Sequence, residues 1–300
     1  MTDASPPITG YDAARVPRGL VRHVGPVLGY PGTLWRHRGL IWNFFRRELL
    51  ARFRGSMIGV GWVLIQPIYL FVLYYLVFGF LFSQAPRTGA DVDARFAVFL
   101  FTGILVWSSF QEGALRSCTV VVDNGNLVKK VAFPCELLPM HTTLGAMVGY
   151  LVGVVVVMAI GIPIGVVQPG VGLLAWPLVL VVHVTFTLGL GLLLANVYVF
   201  MRDANHIFNL LAQAWFFASP VFWQPDFLAE KVPGLYHILR WNPMAALLEL
   251  HRQSLGVPTL SVHETPLLHN LGITALWAVV LLVLGFAAFT SRRHKFADLV

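Results

Sequence analysis

Charge is scarce in this sequence, and it is missing altogether from stretches where a soluble protein would need it. Of the 300 residues, 57% are hydrophobic and 12% charged, roughly half the charge of an ordinary soluble domain. No charged residue stands between Arg54 and Arg87, Glu136 and Arg202, Asp203 and Asp226, or Glu264 and Arg292. A water-soluble fold cannot bury that much continuous apolar chain, whereas a bilayer accepts it in helical units of about 20 residues. Cysteine is nearly absent as well. Cys118 and Cys135 alone make no disulfide framework, and both are expected as free thiols on the inner side. No Gly-Lys dipeptide occurs, which excludes a Walker A phosphate loop in this chain. There is also no H-E-x-x-H, no G-x-S-x-G and no acidic metal cluster, so no catalytic, cofactor-binding or metal-ligating residue is nominated.

What charge exists is mostly positive and lies at the margins. The formal charge is +7, with nine Lys/Arg in the first 56 residues and three in the last nine. Basic flanks on apolar spans set orientation, so nucleic acid is not the partner that this charge implies. The spans read as about 57–82, 96–117, 141–166, 172–199, 205–222 and 270–290. Pro163 and the Gln168-Pro169-Gly170 turn divide the third from the fourth. The first span begins near Met57, too late and too long for a signal peptide. Six crossings put both ends on one side. That side holds 16 Lys/Arg, Arg116 included, against five on the other, so both termini are expected in the cytoplasm. The fold class is therefore an all-α integral membrane protein with six transmembrane helices. Its parts are a flexible N-tail over 1–32, an amphipathic interface helix over 33–56 and a membrane domain over 57–300, with a cytoplasmic C-tail over 291–300.

Few ionisable groups fall inside the spans. Glu112 has Arg116 one turn later, a local i,i+4 pair. His183 reads as bonded to a neighbouring helix. An ion-coupled pathway would carry more such groups, which disfavours a gradient-driven transporter. Ahead of the first span, Trp42, Phe45, Leu49 and Phe53 follow helical spacing among Arg36, Arg38, Arg46, Arg47, Arg52 and Arg54. A basic helix with an aromatic side lies in the headgroup layer and contacts membrane lipids. Arg46, Arg47, Arg52 and Arg54 would stand where an anionic pyrophosphate headgroup enters; contact with a partner subunit is the other use of this helix.

Several motifs point further. Gly59-Val60-Gly61-Trp62 is followed by Pro67. Leu127-Val128-Lys129-Lys130-Val131-Ala132-Phe133-Pro134-Cys135-Glu136-Leu137-Leu138-Pro139 follows the second span. Arg202-Asp203 follows the fourth, Trp241-Asn242-Pro243 lies in the outer loop, and Lys295-Phe296-Ala297-Asp298 is near the end. In this order around six spans, the chain resembles the membrane subunits of ABC-type polysaccharide exporters, which carry O-antigen, teichoic acid and capsule chains. The resemblance implies a homodimer on two separate ABC ATPase subunits, with ATP and Mg2+ used on those subunits. It further implies a lipid-linked polysaccharide as cargo and the bacterial cytoplasmic membrane as location. Leu127, Lys129, Lys130, Phe133, Pro134 and Glu136, with Arg202 and Asp203, are the candidate ATPase contacts.

Aromatic residues supply the candidate path. Phe71, Tyr74, Tyr75, Phe78 and Phe82 form one stripe of the first span, and Trp215, Phe216 and Phe217 mark the fifth. Sugar rings lay apolar C–H faces on such rings, although aromatics also pack helix interfaces and membrane belts. Residues 223–269 are apolar enough for short re-entrant helices, with Trp241, Asn242 and Pro243 as corner and outer gate. An exporter of a small drug or lipid, and a membrane-embedded glycan transferase, are the alternatives.

Overall fold

The computed structural model describes residues 25–52, 54–81, 91–129, 134–226, 231–259 and 265–300. Among them every regular element is helical. After a 3-10 turn at Gly25–Gly29 come α1 (Tyr30–Arg36), α2 (Arg38–Arg52), α3 (Trp62–Leu81) and α4 (Asp91–Asp123). Then follow α5 (Gly125–Val128), α6 (Leu138–Gly161), α7 (Trp176–Phe200) and α8 (Ala204–Phe217). The chain closes with α9 (Pro233–Leu239), α10 (Pro243–Leu255), α11 (Leu267–Arg292) and α12 (Phe296–Leu299).

Four helical stretches are long and apolar enough to cross a membrane: Ala94–Asp123, Cys135–Gly161, Val171–Phe200 and Leu267–Leu299. At 1.5 Å per residue, the 33-residue α4 is about 50 Å long and overshoots a hydrocarbon core of about 30 Å. Its charged residues are Asp91, Asp93 and Arg95 near one end and Glu112, Arg116 and Asp123 toward the other. α3 runs for 20 residues, about 30 Å, whereas the fifth expected span is less complete, the 14 residues of α8 reaching only about 21 Å. The fifth ends early because Pro220 cannot continue a helix and Ala218 to Trp223 turn back. The interface helix likewise differs from a single 33–56 segment. It bends at His37, between α1 and α2, and ends at Arg52.

α4 is the central helix and packs against α6, α7, α3 and α8. Small residues allow the tightest approaches. A Cβ on Gly189 of α7 would overlap the backbone of Leu282 on α11, and one on Gly285 would overlap the Gly189 carbonyl. With no water to expel between helices in lipid, such backbone proximity supplies much of the packing attraction. Gly256, after α10, adopts φ +70° as the left-handed cap, and its carbonyl accepts the Gln168 N–H at 2.9 Å.

One end of the bundle collects both ends of the described chain. Tyr30 is buried against Phe286, with ring centroids 4.7 Å apart, and its hydroxyl donates to the Glu136 carbonyl at 2.7 Å. Residues 25–32, read from sequence as part of a flexible tail, thus form a 3-10 turn and the start of α1 on the bundle. Phe296 is buried against Phe289, and Val300 packs on Gly125. This end also holds Cys135, buried and outside any disulfide, while Cys118 is buried on α4 and likewise in no disulfide. Replacing Gly285 by Val should lower the thermal midpoint of the detergent-purified protein and cut its yield of monodisperse material. Gly149→Ala, where a Cβ meets nothing within 4 Å, should leave both unchanged.

Candidate functional site

At the inner end of α4 four charges form a closed set with the interface helix. Arg116 Nε lies 2.9 Å from Glu112 Oε1, the local pair visible in the sequence. The same Arg116 extends Nη1 to Glu48 Oε1 of α2 at 2.9 Å. Arg52, also on α2, donates to that same Glu112 oxygen. His141 of α6 brings Nε2 to 3.4 Å from Glu48 Oε2. Two carboxylates and two guanidiniums cancel, so these four groups fasten α2 to α4 without adding net charge. Burial pushes the Glu48 carboxyl above its ordinary range, against the pull of Arg116 and Arg52. Beside the set lies a cavity of about 250 Å³ reached by Arg47, Thr119, Asn124 and Thr142. Of the four arginines read as headgroup contacts, Arg46, Arg47 and Arg54 are exposed, and Arg52 is engaged.

The nominated ATPase contacts fall on the same end of the molecule. Lys129 is exposed and Leu127 half-buried on α5, while Lys130 and Phe133 lie outside the described residues. Pro134 is half-buried. Glu136 is buried, and its carboxylate meets Arg293 at 3.3 Å. Arg202 and Asp203 are exposed at the α7–α8 turn, with Arg202 over the Tyr198 ring at 5.3 Å and 3.5 Å from the Leu299 carbonyl. The α5 turn, the α7–α8 turn and α12 therefore form one continuous surface.

The nominated path residues divide into two groups. Phe71 is buried edge-on against Phe101 at 5.2 Å, and Tyr74 is half-buried beside it in the core. The side chains of Tyr75 and Phe78 lie outside the described residues, as does Phe82. Trp215 and Phe216 join Trp107, Phe110 and Phe186 in an aromatic cluster with centroid separations of 5.4 to 6.4 Å. Phe217 is exposed. It borders an outer cavity of about 710 Å³ walled by Phe222, Trp223, Leu235, Ile238 and Trp241.

The outer corner is held by α10 through polar contacts. Asn242 caps that helix by accepting the Met244 N–H at 3.0 Å, and its Oδ1 also accepts Trp215 Nε1–H at 3.0 Å. Its amide donates to Ser219 Oγ at 3.1 Å. Pro243 starts the helix, and Trp241 stays exposed. Near the other end of α10, Arg252 is fully buried. It donates to the carbonyls of Pro220 and Val221 at 3.0 Å and of Phe99 at 3.3 Å, with its guanidinium 3.5 Å from the Phe99 ring centroid. Next to it, His251 bonds Tyr150 at 2.7 Å and His183 at 3.1 Å, and Trp176 donates to Tyr150 at 3.1 Å. The direction Trp176 to Tyr150 to His251 to His183 uses every donor except the last histidine N–H.

Sequence reasoning found Glu112–Arg116, His183's helix–helix bond and the Asn242-Pro243 corner. It missed Glu48, Tyr30, His251 and the burial of Arg252. Each of these depends on a partner about 70 or more residues away. The one available signal for Arg252 was a cation inside the apolar-rich Met244–Leu255 segment.

The pattern of the ABC-2 type transporter family matches residues 39–255, from α2 through α10. The chain belongs to the ABC-2 type transporter family. This ABC-2 transporter chain is 30% identical over 265 residues to the O-antigen export system permease protein RfbA of Myxococcus xanthus, covering 88% of this chain and 96% of the relative. It is 24% identical over 259 residues to the protein of the same name from Klebsiella pneumoniae, covering 85% and 92%. The matched region of the ABC-2 chain takes in the four-charge set and the outer corner. An Asn242→Ala substitution removes the α10 cap and should destabilise the outer end by about 1 kcal/mol or more. Limited proteolysis should then cut near 218–226 faster, whereas Trp241→Ala should leave the cleavage rate unchanged.

Proposed function

We infer that this chain is the membrane subunit of an ATP-driven exporter that carries a lipid-linked polysaccharide, of O-antigen or capsule type, across the bacterial cytoplasmic membrane. The observation that carries this reading is the near end-to-end similarity to O-antigen export permeases within a shown transporter family. The family is one of transport membrane subunits, and without a Gly-Lys dipeptide this chain supplies no Walker A loop for ATP. ATP and Mg2+ act on a separate ABC ATPase.

In this reading two copies enclose the conduit and each sits on one ATPase. Leu127, Lys129, Lys130, Phe133 and Pro134, with Arg202 and Asp203, receive the ATPase; Glu136 stands behind them, tied to Arg293. That Lys129, Arg202 and Asp203 are exposed on one continuous end supports the assignment. The six-crossing topology, with both termini in the cytoplasm, gains support from Tyr30 and Phe296 packing at one end of the bundle. ATP binding draws the ATPases together and tilts α5 and the α7–α8 turn, and α4 and α8 pass the motion outward. Tyr74, Tyr75, Phe78 and Phe217 are the lining we assign, backed by Phe71, Trp215 and Phe216. Weak, repeated stacking on rings suits a polymer that has to slide. Arg46, Arg47 and Arg54 draw the anionic headgroup to the inner surface, at about 1 kcal/mol per basic residue. Trp241, ahead of the fixed Asn242-Pro243 corner, belongs to the outer gate.

The test is co-purification with the ATPase encoded alongside. Lys129→Glu combined with Arg202→Glu should reduce recovery of the ATPase at least tenfold and abolish export, with the permease still folded. Arg240→Glu, at the opposite end, should leave recovery unchanged. Loss of the ATPase from the outer variant alone would overturn the assignment.

A further inference from the structure

Two guanidiniums that converge on one carboxylate oxygen are arranged as they would be around a phosphate. Arg52 of α2 and Arg116 of α4 both point to Glu112 Oε1, and both sit where the interface helix meets the bundle. Arg116 has in addition Glu48, and the adjoining cavity of about 250 Å³ offers Arg47, while the Thr119 hydroxyl is given to Asp123. Arg52 Nε is buried with no hydrogen-bond partner, so the arginine's donors are not all used in this closed arrangement. Arginine forks bind phosphate and carboxylate by the same paired N–H geometry, and a group bearing more charge competes for them.

We propose that Arg52 and Arg116 form an anion site for a diphosphate headgroup, and that Glu112 and Glu48 are the internal anions occupying it at rest. This deepens the exporter reading and rests on it for the source of the headgroup. An arriving diphosphate displaces Glu112 from both arginines. The exchange replaces the direct Arg52–Glu112 and Arg116–Glu48 ties between α2 and α4 with one that runs through the ligand. The same event thus binds the headgroup and resets how α2 is held on α4. The ligand is recognised by its phosphates, and the helix responds only when they are present.

The test uses the permease–ATPase complex in nanodiscs of uncharged lipid, with a nitroxide at position 42 on the exposed face of α2. The probes are an isoprenyl diphosphate, inorganic pyrophosphate and added phosphatidylglycerol. Isoprenyl diphosphate should shift the nitroxide's spectrum in the wild type and should immobilise the nitroxide in Glu112→Gln. Glu112→Gln should be mobile without ligand and should bind the diphosphate about tenfold tighter, since the competing internal anion is gone. Arg116→Gln should weaken binding about tenfold. Glu48→Gln should shift affinity in the same direction as Glu112→Gln and serves if the latter does not fold. Equal responses to pyrophosphate and isoprenyl diphosphate uphold the site and assign recognition to the phosphates alone. A response to phosphatidylglycerol as large as to the diphosphate overturns it in favour of general surface charge, and so does unchanged affinity in both Gln variants. Export is scored separately. A wild-type complex that exports but shows no Gln effect refutes this clamp only, whereas a complex that exports nothing refutes the exporter reading.

Discussion

The bilayer's intolerance of unpaired charge organises this molecule. Long runs of sequence are emptied of charge, and where a charge enters the bundle it is tied down. Glu112 and Arg116 on α4 are balanced by Arg52 and Glu48 on α2. Arg252 at the other end has, among the described residues, no carboxylate closer than Glu249 at 4.0 Å, and is held mainly by three carbonyls and an aromatic face. Breaking either arrangement leaves a desolvated charge without a partner, which costs more than the intact contact contributes. The two ends of α4 are therefore its points of attachment, and the middle is held by ring packing and glycine contacts.

This distribution suggests a division of labour. α10 grips the turn after α8 from both of its own ends, through Asn242 and Arg252, and is inserted among α4, α6 and α7 by the His251 relay. It acts as a fixed post. The exposed side chains of Phe217, Ile238 and Trp241 around the outer cavity have no comparable tether. At the inner end the exposed α5 and α7–α8 turns are backed by buried Phe296 and Tyr30, so a push there reaches α4, α7 and α11 together.

Much of the fold was legible in the sequence because its signals are local. Apolar run length located the long helices, Pro163 and the Gln168-Pro169-Gly170 turn marked the hairpin, and i,i+4 spacing paired Glu112 with Arg116. The basic stretch before the first span announced a helix, although periodicity marks neither its break at His37 nor its end at Arg52. What escaped was long-range. Periodicity gives no sign that Glu48 would reach across to Arg116, or that Arg252 would leave its loop for the carbonyls of Pro220, Val221 and Phe99. The length of α8 was overestimated because Phe222 and Trp223 extend the apolar run past the turn at Pro220. Motifs nominated residues on the α5 and α7–α8 turns, whereas the residues packed behind those turns, Tyr30 among them, came only from the fold.

The central claim is that this chain forms a conduit and takes its energy from a nucleotide-hydrolysing partner at its inner end. The most direct measurement is the appearance of lipid-linked glycan at the far face of proteoliposomes containing this chain, its ATPase, or both. The account predicts translocation only with both proteins and hydrolysable ATP, and none with this chain alone. Movement of the glycan by this chain without nucleotide would contradict it.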